Sequence, residues 1–273
     1  MNPRYPIYII SKGRWKLRNT ARALDQLGVP YHIVIEKPEY ENYASVIDKK
    51  KILVHPHIDE GAIPGRNWIW QHSIDAGFKR HWVLDDNIRT FYRFTNNVKH
   101  YCTDGTCFAV LEDWADRYIN AAQVGMQYEA LNPKRSKYPK AYVSNTRIYS
   151  CILNQNDLPV RWRGIFNSDT DLSLRLLKLG FCTMLSRAFL CEKRATMKCE
   201  GGNTERYQGD GRLRMAKYLQ QQHPDVVKVV WKWNRWQHEV NYKPFKNNKL
   251  IPDPNYVPRT GVDEYGMTIR RGS

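Results

Sequence analysis

The chain has 273 residues, 42% hydrophobic and 26% charged, and its 43 Lys and Arg against 27 Asp and Glu give a formal charge of +16. That composition is globular, and no run approaches the ~20 consecutive apolar residues of a membrane span, which excludes an integral membrane protein. So large a positive surplus, joined to 17 Tyr, 9 Trp and 8 Phe, points to a nucleic-acid partner met through phosphate contacts and base stacking.

The opening residues run directly into a short apolar segment and lack the long apolar stretch of a secretory signal, so a cytoplasmic location is expected. Pro6 to Ile10, rich in branched and aromatic residues and closed by Ser11-Lys12-Gly13-Arg14, has the pattern of a buried strand and its loop. Asn19 to Leu27 reads as a helix with Ala23, Leu24 and Leu27 on one face and Gly28 as its stop. A second strand is expected at Tyr31 to Ile35, ending in Glu36-Lys37-Pro38-Glu39, and a third at Ile52 to Val54. Gly61 to Asn67 is a loop-to-helix transition with Trp68 to Ala76 helical, and His81 to Leu84 is an apolar strand that closes on an acidic pair. This alternation predicts βαβ crossovers and a parallel sheet with helices on its faces. Ligands gather beyond the carboxyl ends of such strands, so Ser11 to Arg14, Glu36 to Glu39 and Asp85 to Asn87 should share one edge.

Beyond residue 90 parallel order should give way to antiparallel. Leu111 to Tyr128 has the spacing of an amphipathic helix, Asn132 to Lys140 is a basic loop, and Ala141 to Leu153 holds one or two strands. Leu172 to Leu179 is a helix stopped by Gly180, Phe181 to Leu190 a strand, and Gly211 to Gln222 a helix halted by His223-Pro224. Residues 1–246 are expected to form the folded domain, and Asn247 to Ser273 an extended basic tail, either an arm or a partly disordered segment. None of the six cysteines forms a Cys-x-x-Cys pair, so no disulfide framework is expected, and Cys102-x4-Cys107 with Cys191-x7-Cys199 is spaced more loosely than structural zinc sites.

Asp85-Asp86-Asn87 is the sharpest local feature. Hard oxygen ligands at a strand end suit Mg²⁺ or Mn²⁺ with a diphosphate completing the shell; the plain alternative is a solvated turn that caps a following helix. In Ser168-Asp169-Thr170-Asp171, Ser168 and Asp171 can form a capping box, while a carboxylate fixed at a helix start can take a proton from a hydroxyl nucleophile. Asp169 is the expected base and Asp171 its structural or positioning partner. His238, in Trp233-Asn234-Arg235-Trp236-Gln237-His238, is a candidate third metal ligand, or an incidental residue beside a buried Trp233. Gly201-Gly202-Asn203 could bring main-chain N–H groups to a phosphate or sugar, and Arg14 or Arg66 could hold a diphosphate bidentately.

Gly65-Arg66-Asn67, then Trp82-Val83-Leu84-Asp85-Asp86-Asn87-Ile88, then Ser168 to Arg175, Met197 to Thr204 and Lys232 to His238 follow one another in an order that resembles GT-A-fold glycosyltransferases. More narrowly, the order is similar to that of the TET/JBP-associated glycosyltransferases of phages and some eukaryotes, over roughly residues 5 to 245. The resemblance implies a GT-A-like α/β fold, a Rossmann-like mixed sheet with helices on both faces and a C-terminal elaboration. It also implies transfer of a sugar from a nucleotide sugar, a UDP-sugar, to the hydroxyl of 5-hydroxymethylcytosine or a related hydroxymethylpyrimidine in DNA. Asp85 and Asp86 would then hold Mn²⁺ or Mg²⁺ on the donor diphosphate, and Ser11, Arg14 and Glu36 would lie near the nucleoside; the residues' own chemistry adds Asn87 and His238 as candidate metal ligands and Arg66, Gly201, Gly202 and Asn203 as candidate donor contacts. Ser168 stands where the family pattern leads one to expect an acidic residue, which leaves the choice between Asp169 and Asp171 as base open. Two other readings stay open: a GT-A enzyme with a protein, glycan or lipid-linked acceptor, and a non-catalytic DNA-binding module with a structural acidic pair.

Overall fold

The computed structural model describes residues 1–132, 140–193 and 209–257. In chain order it forms β1 (Ile7–Ile10), α1 (Asn19–Gln26), β2 (His32–Glu36), α2 (Tyr40–Ala44), β3 (Ile52–His55), α3 (Ala62–Asp75), β4 (Arg80–Asp85), β5 (Ile88–Thr95) and β6 (Val98–Tyr101). Then follow α4 (Thr106–Asp116), β7 (Ala121–Tyr128), β8 (Tyr142–Ser144), β9 (Cys151–Gln155), α5 (Ser168–Lys178), β10 (Cys182–Lys193), α6 (Gly211–Gln222), β11 (Val227–Lys232) and β12 (Arg235–Val240).

The first ten strands make one sheet in the order β3-β2-β1-β4-β9-β7-β10-β5-β6, with β8 also paired to β10. β1 to β4 are parallel, β9 is antiparallel to both β4 and β7, and β10 is parallel to β7. Six strands therefore end at one rim: β1, β2, β3, β4, β7 and β10. Side-chain alternation assigns the two faces. Ile7, Ile9, Trp82 and Leu84 pack with α1, α2 and α4 on one side, whereas Tyr8 and Val83 pack beneath α3 on the other and Ile152 and Leu185 beneath α5. The expected mixed α/β sheet with helices on both faces is the architecture observed, and among the described residues no helix is long and apolar enough to cross a membrane.

One expectation is corrected, and three alternatives left open by the sequence are decided. The helix expected over Leu111 to Tyr128 stops at Asp116, and its second half is β7. β7 lies between β9 and β10 and is buried on both faces, so it lacks the polar–apolar alternation that marks an edge strand, and a Cβ on Gly125 would collide with Ile148 and the Cys151 carbonyl. No helix follows Asp85-Asp86-Asn87; β5 begins at once, and Thr20 of α1 pins the turn by donating to the Asp85 carbonyl at 2.6 Å and accepting from the Ile88 amide at 2.9 Å. The tail does not loosen at residue 247. Its backbone is tied down to Tyr256 because Asn120, Asn145 and Asn248 carboxamides satisfy main-chain groups on both sides of the contact, and Ile119 N–H donates to the Ile251 carbonyl. Trp233 is not buried; with Asn234 it forms a two-residue turn, both at positive φ, that joins β11 and β12 into a hairpin. The five described cysteines are buried free thiols, while Cys199 and residues 258–273 lie outside the described residues.

Beneath α3 and α5 runs a buried polar chain. Asn156 spends both amide protons on Ser73 Oγ (2.9 Å) and the Phe78 carbonyl (2.6 Å), so its Oδ1 accepts from His81 Nδ1–H at 2.5 Å. Gln123 donates to Asn154 Oδ1 at 2.9 Å, which turns the Asn154 amide towards His81 Nε2. Each partner fixes the next, and the imidazole is neutral with its proton on Nδ1. Burial, joined by nearby Arg161 and opposed by the Asn156 hydrogen bond, lowers the His81 pKa from 6.5 to about 4. A depressed histidine pKa stabilises the fold fully above pH 6.5, and that contribution falls away as the pH drops towards 4. Thermal melts between pH 7 and 4 should show His81→Gln losing less stability than wild type over that interval, by up to about 3 kcal/mol; parallel pH profiles would contradict the assignment.

Candidate active site

The strand ends bring together one open cleft of about 730 Å³, within the range of small-ligand sites. Ser11, Glu36, His55, Asp85, Tyr128 and Lys193, one at the end of each strand that stops at the rim, all line it. Ser150, which precedes β9 running the other way, faces the same space.

Gly65-Arg66-Asn67 builds the centre. At Gly65 a Cβ would come within 3.1 Å of both His55 and Ile10, so glycine lets the first turn of α3 lie against the ends of β1 and β3. Asn67 clamps residue 162 by accepting its amide at 3.1 Å and donating to its carbonyl at 3.0 Å. The Trp162 ring so held covers the Arg66 guanidinium at 4.5 Å. Arg66, 7% exposed, spreads its fork over two carboxylates: Nη2 reaches Asp85 Oδ1 at 3.1 Å, and Nη1 donates to Asp169 Oδ1 at the start of α5.

Asp85 Oδ2 accepts from Lys193 Nζ and Ser150 Oγ, each at 2.6 Å. Burial alone would raise its pKa, but Lys193 and Arg66 hold the carboxyl well below the usual range, and Asp85 pushes Lys193 above its ordinary value. Asp86 points elsewhere: Arg14 grips one oxygen and Ser11 Oγ donates to the other at 2.8 Å. Burial outweighs Arg14 here and raises the Asp86 pKa. Lys12 bridges Glu36, at 2.7 Å, to Asp59.

Of the expected site residues, Ser11, Arg14, Glu36, Arg66, Asp85, Asp86, Asn87 and Asp169 all line this cleft. Asp171 does not. It makes no capping box, because Asn167 takes the cap position in a left-handed conformation, and its carboxylate is enclosed by Arg163 (3.0 Å) and His223 Nε2 (2.9 Å). Asp171 ties α5 to the end of α6. His238 is a further correction: its Nε2 lies 3.4 Å from Arg147 Nη1, and it is absent from the cleft lining. Gly201, Gly202 and Asn203 lie outside the described residues. Lys193, Ser150 and Tyr128 were not singled out by sequence reasoning; the usable signal was that Tyr128 and Lys193 close strands running with β4.

A divalent cation, which the fold family implies, can be tested against these donors. Among the described residues no three His, Cys, Asp or Glu side chains converge, so a protein-only cage does not fit. A cation shared with a diphosphate does fit, because such ions are often held by one or two carboxylates plus phosphate oxygens. Lys193 Nζ already marks a cation position between Asp85, Ser150 Oγ at 2.8 Å and the Tyr128 hydroxyl at 3.3 Å. Moreover, Lys12, Arg14, Arg66 and Lys193 are each paired with a carboxylate, so an entering diphosphate needs further positive charge. Asp85 would hold such an ion by exchanging Lys193 or Ser150 on its Oδ2, since Arg66 engages its Oδ1; Asp86 is engaged by Arg14 and Ser11.

Residues 5–202 match the family model described as TET-Associated Glycosyltransferase. No curated protein matches the chain. Among solved structures, mannose-1-phosphate geranyltransferase from Thermus thermophilus is 12% identical with a TM-score of 0.33, over 71% of this chain and 58% of that one. Mannose-6-phosphate isomerase from Helicobacter pylori is 8% identical with a TM-score of 0.30, over 93% of this chain and 96% of that one. The chain thus spans less than two thirds of the first of these, 58%.

The fork makes a thermodynamic prediction independent of activity. In urea unfolding, a double-mutant cycle of Arg66→Ala and Asp169→Ala should give a coupling of about 1–3 kcal/mol, whereas additivity within about 0.5 kcal/mol would mean that the two side chains do not interact.

Proposed function

Because the chain belongs to the TET-associated glycosyltransferases, we propose that it moves a sugar from a nucleotide sugar, a UDP-sugar, to the hydroxyl of 5-hydroxymethylcytosine or a related hydroxymethylpyrimidine in DNA. The observation that carries this reading is that one guanidinium, Arg66, holds both Asp85 and Asp169 at the cleft. The carboxylate suited to the donor diphosphate and the one suited to the acceptor are thereby fixed to the same group. The charge of +16 supports a DNA acceptor, since an enzyme acting on small metabolites has no need of it.

In this reading Ser11, Arg14 and Glu36 receive the nucleoside end of the donor, at the ends of β1 and β2. Asp85 faces the diphosphate. A divalent cation, Mn²⁺ or Mg²⁺, held there would supply Lewis-acid stabilisation of the negative charge on the departing nucleoside diphosphate. Asp169 takes the proton of the acceptor hydroxyl as its oxygen forms the new bond to the sugar, and the sugar–phosphate bond breaks on the opposite side. Arg66 keeps that carboxylate oriented, and Trp162 and Asn67 keep Arg66 in place. Lys193 anchors Asp85 from the end of β10.

Mass spectrometry of nucleosides from hydroxymethylated DNA, incubated with a panel of nucleotide sugars and Mn²⁺ or Mg²⁺, tests the proposal. A mass gain of one sugar on the hydroxymethylpyrimidine alone, abolished by chelation and restored by the metal, is expected; transfer to protein or glycan but not to this DNA would refute it. Asp169→Asn should lower kcat by about 10²- to 10⁴-fold with donor Kd nearly unchanged. A defect confined to donor affinity would remove Asp169 from the role of base.

A further inference from the structure

Among the described residues, the β11–β12 hairpin presents three exposed indoles. Trp231 is 56%, Trp233 79% and Trp236 40% exposed. Trp231 and Trp236 are cross-strand partners with ring centroids 5.2 Å apart at 73°, and Trp233 stands in the turn between the two strands. Alternation puts Val227, Val229, Trp231, Trp236, His238 and Val240 on one face of the ribbon and Lys228, Lys232 and Arg235 on the other. At the root Val227 and Val240 pack against α5 and α6, so the ribbon is anchored there and projects at its tip.

Exposed aromatic side chains grouped in this way on one ribbon mark a binding site. Its surroundings specify what binds. Residues 211–249 hold nine Lys and Arg against two Asp and Glu, and both acids are already paired, Asp225 with Lys178 and Glu239 with Lys232. An apolar protein partner or a second copy of the same basic ribbon would meet uncompensated positive charge, whereas a polyanion with flat aromatic faces matches both the cations and the indoles. Position relative to the cleft is equally informative. His238, on the ribbon's indole face, lies 3.4 Å from Arg147, and Arg147 lines the cleft.

The geometry points to the β11–β12 hairpin as the element that grips acceptor duplex DNA, with its tryptophan tip wedged against base steps and its cationic face along the phosphates. The inference rests on the DNA reading above and adds where the duplex lies. A base buried in a duplex reaches a recessed cleft only when it leaves the stack, at a cost of a few kcal/mol. Apolar side chains pushed between base steps offset that cost, and a ribbon rooted beside the cleft keeps the opened step next to the reacting groups.

The test uses the full chain and a short fluorescent duplex carrying one hydroxymethylcytosine, with binding read by anisotropy over a salt series. Trp233→Ala, which removes only an exposed side chain, should weaken the duplex by about 10-fold or more with its salt dependence unchanged. Lys228→Gln with Arg235→Gln should reduce the slope of log K against log salt by about one for each phosphate left without its cation. Donor hydrolysis without DNA should stay at the wild-type rate in all these variants. Full duplex affinity in Trp233→Ala and in the Trp231→Ala, Trp236→Ala double variant would overturn the proposal. So would loss of self-association in place of DNA binding, seen by size exclusion. If wild type binds the duplex through these residues yet transfers no sugar, the glycosylation reading fails and the hairpin assignment stands; if transfer proceeds and the hairpin variants bind as wild type, the reverse holds.

Discussion

One buried guanidinium organises the candidate site. Arg66 is nearly sealed from water, stacked on Trp162 and shared between Asp85 and Asp169, and without it two carboxylates would face each other across a partly desolvated gap. Removing one member of a buried ion pair typically costs about 3–5 kcal/mol, because the charge left behind has no counterpart. A lysine could not take its place, since one ammonium lacks the planar fork that meets two acceptors in fixed directions. The conformation of this arginine thus couples the end of β4 to the start of α5, elements that are not adjacent in sequence.

The sheet makes that coupling possible. Because β7 and β10 run with β1 to β4, while β9 and β5 run against them, the rim collects six strand ends and two strand starts. Asp85, Tyr128, Ser150 and Lys193 reach one another across strands far apart in the chain. Beneath this rim the fold is held by ordinary apolar packing, interrupted by the fully bonded chain through His81, Asn154, Asn156 and Gln123, which fixes the register of β4, β9 and β7 under α3 and α5. Directional polar bonds of that kind penalise any slip of one residue, since a slip would strand several buried donors.

Much of the first half was legible in the sequence, because short apolar strands bounded by polar turns and glycine stops leave a local signature. Ile7–Ile10, His32–Glu36 and Arg80–Asp85 fall within about two residues of expectation, and the strand-end rule alone brought Ser11, Glu36 and Asp85 to one edge. The central strand β7 was not legible: its residues are buried on both faces and carry two alanines and two glutamines that suit a helix as well. Partnership was the other limit. That Asp171 belongs to Arg163 and His223, Asp86 to Arg14, and His238 to Arg147 depends on contacts between distant segments, which residue type and spacing do not encode. Lys193 escaped notice for the same reason, being one lysine among many until β10 delivers it to Asp85.

A crystal structure with the nucleotide-sugar donor and Mn²⁺ is the most direct measurement of the central claim. The account predicts the diphosphate between Asp85 and the Arg14 loop, manganese shared by Asp85 and phosphate oxygens, and Arg66 still joined to both Asp85 and Asp169. A donor bound away from this rim, or Arg66 turned out of the cleft with the two carboxylates apart, would contradict it.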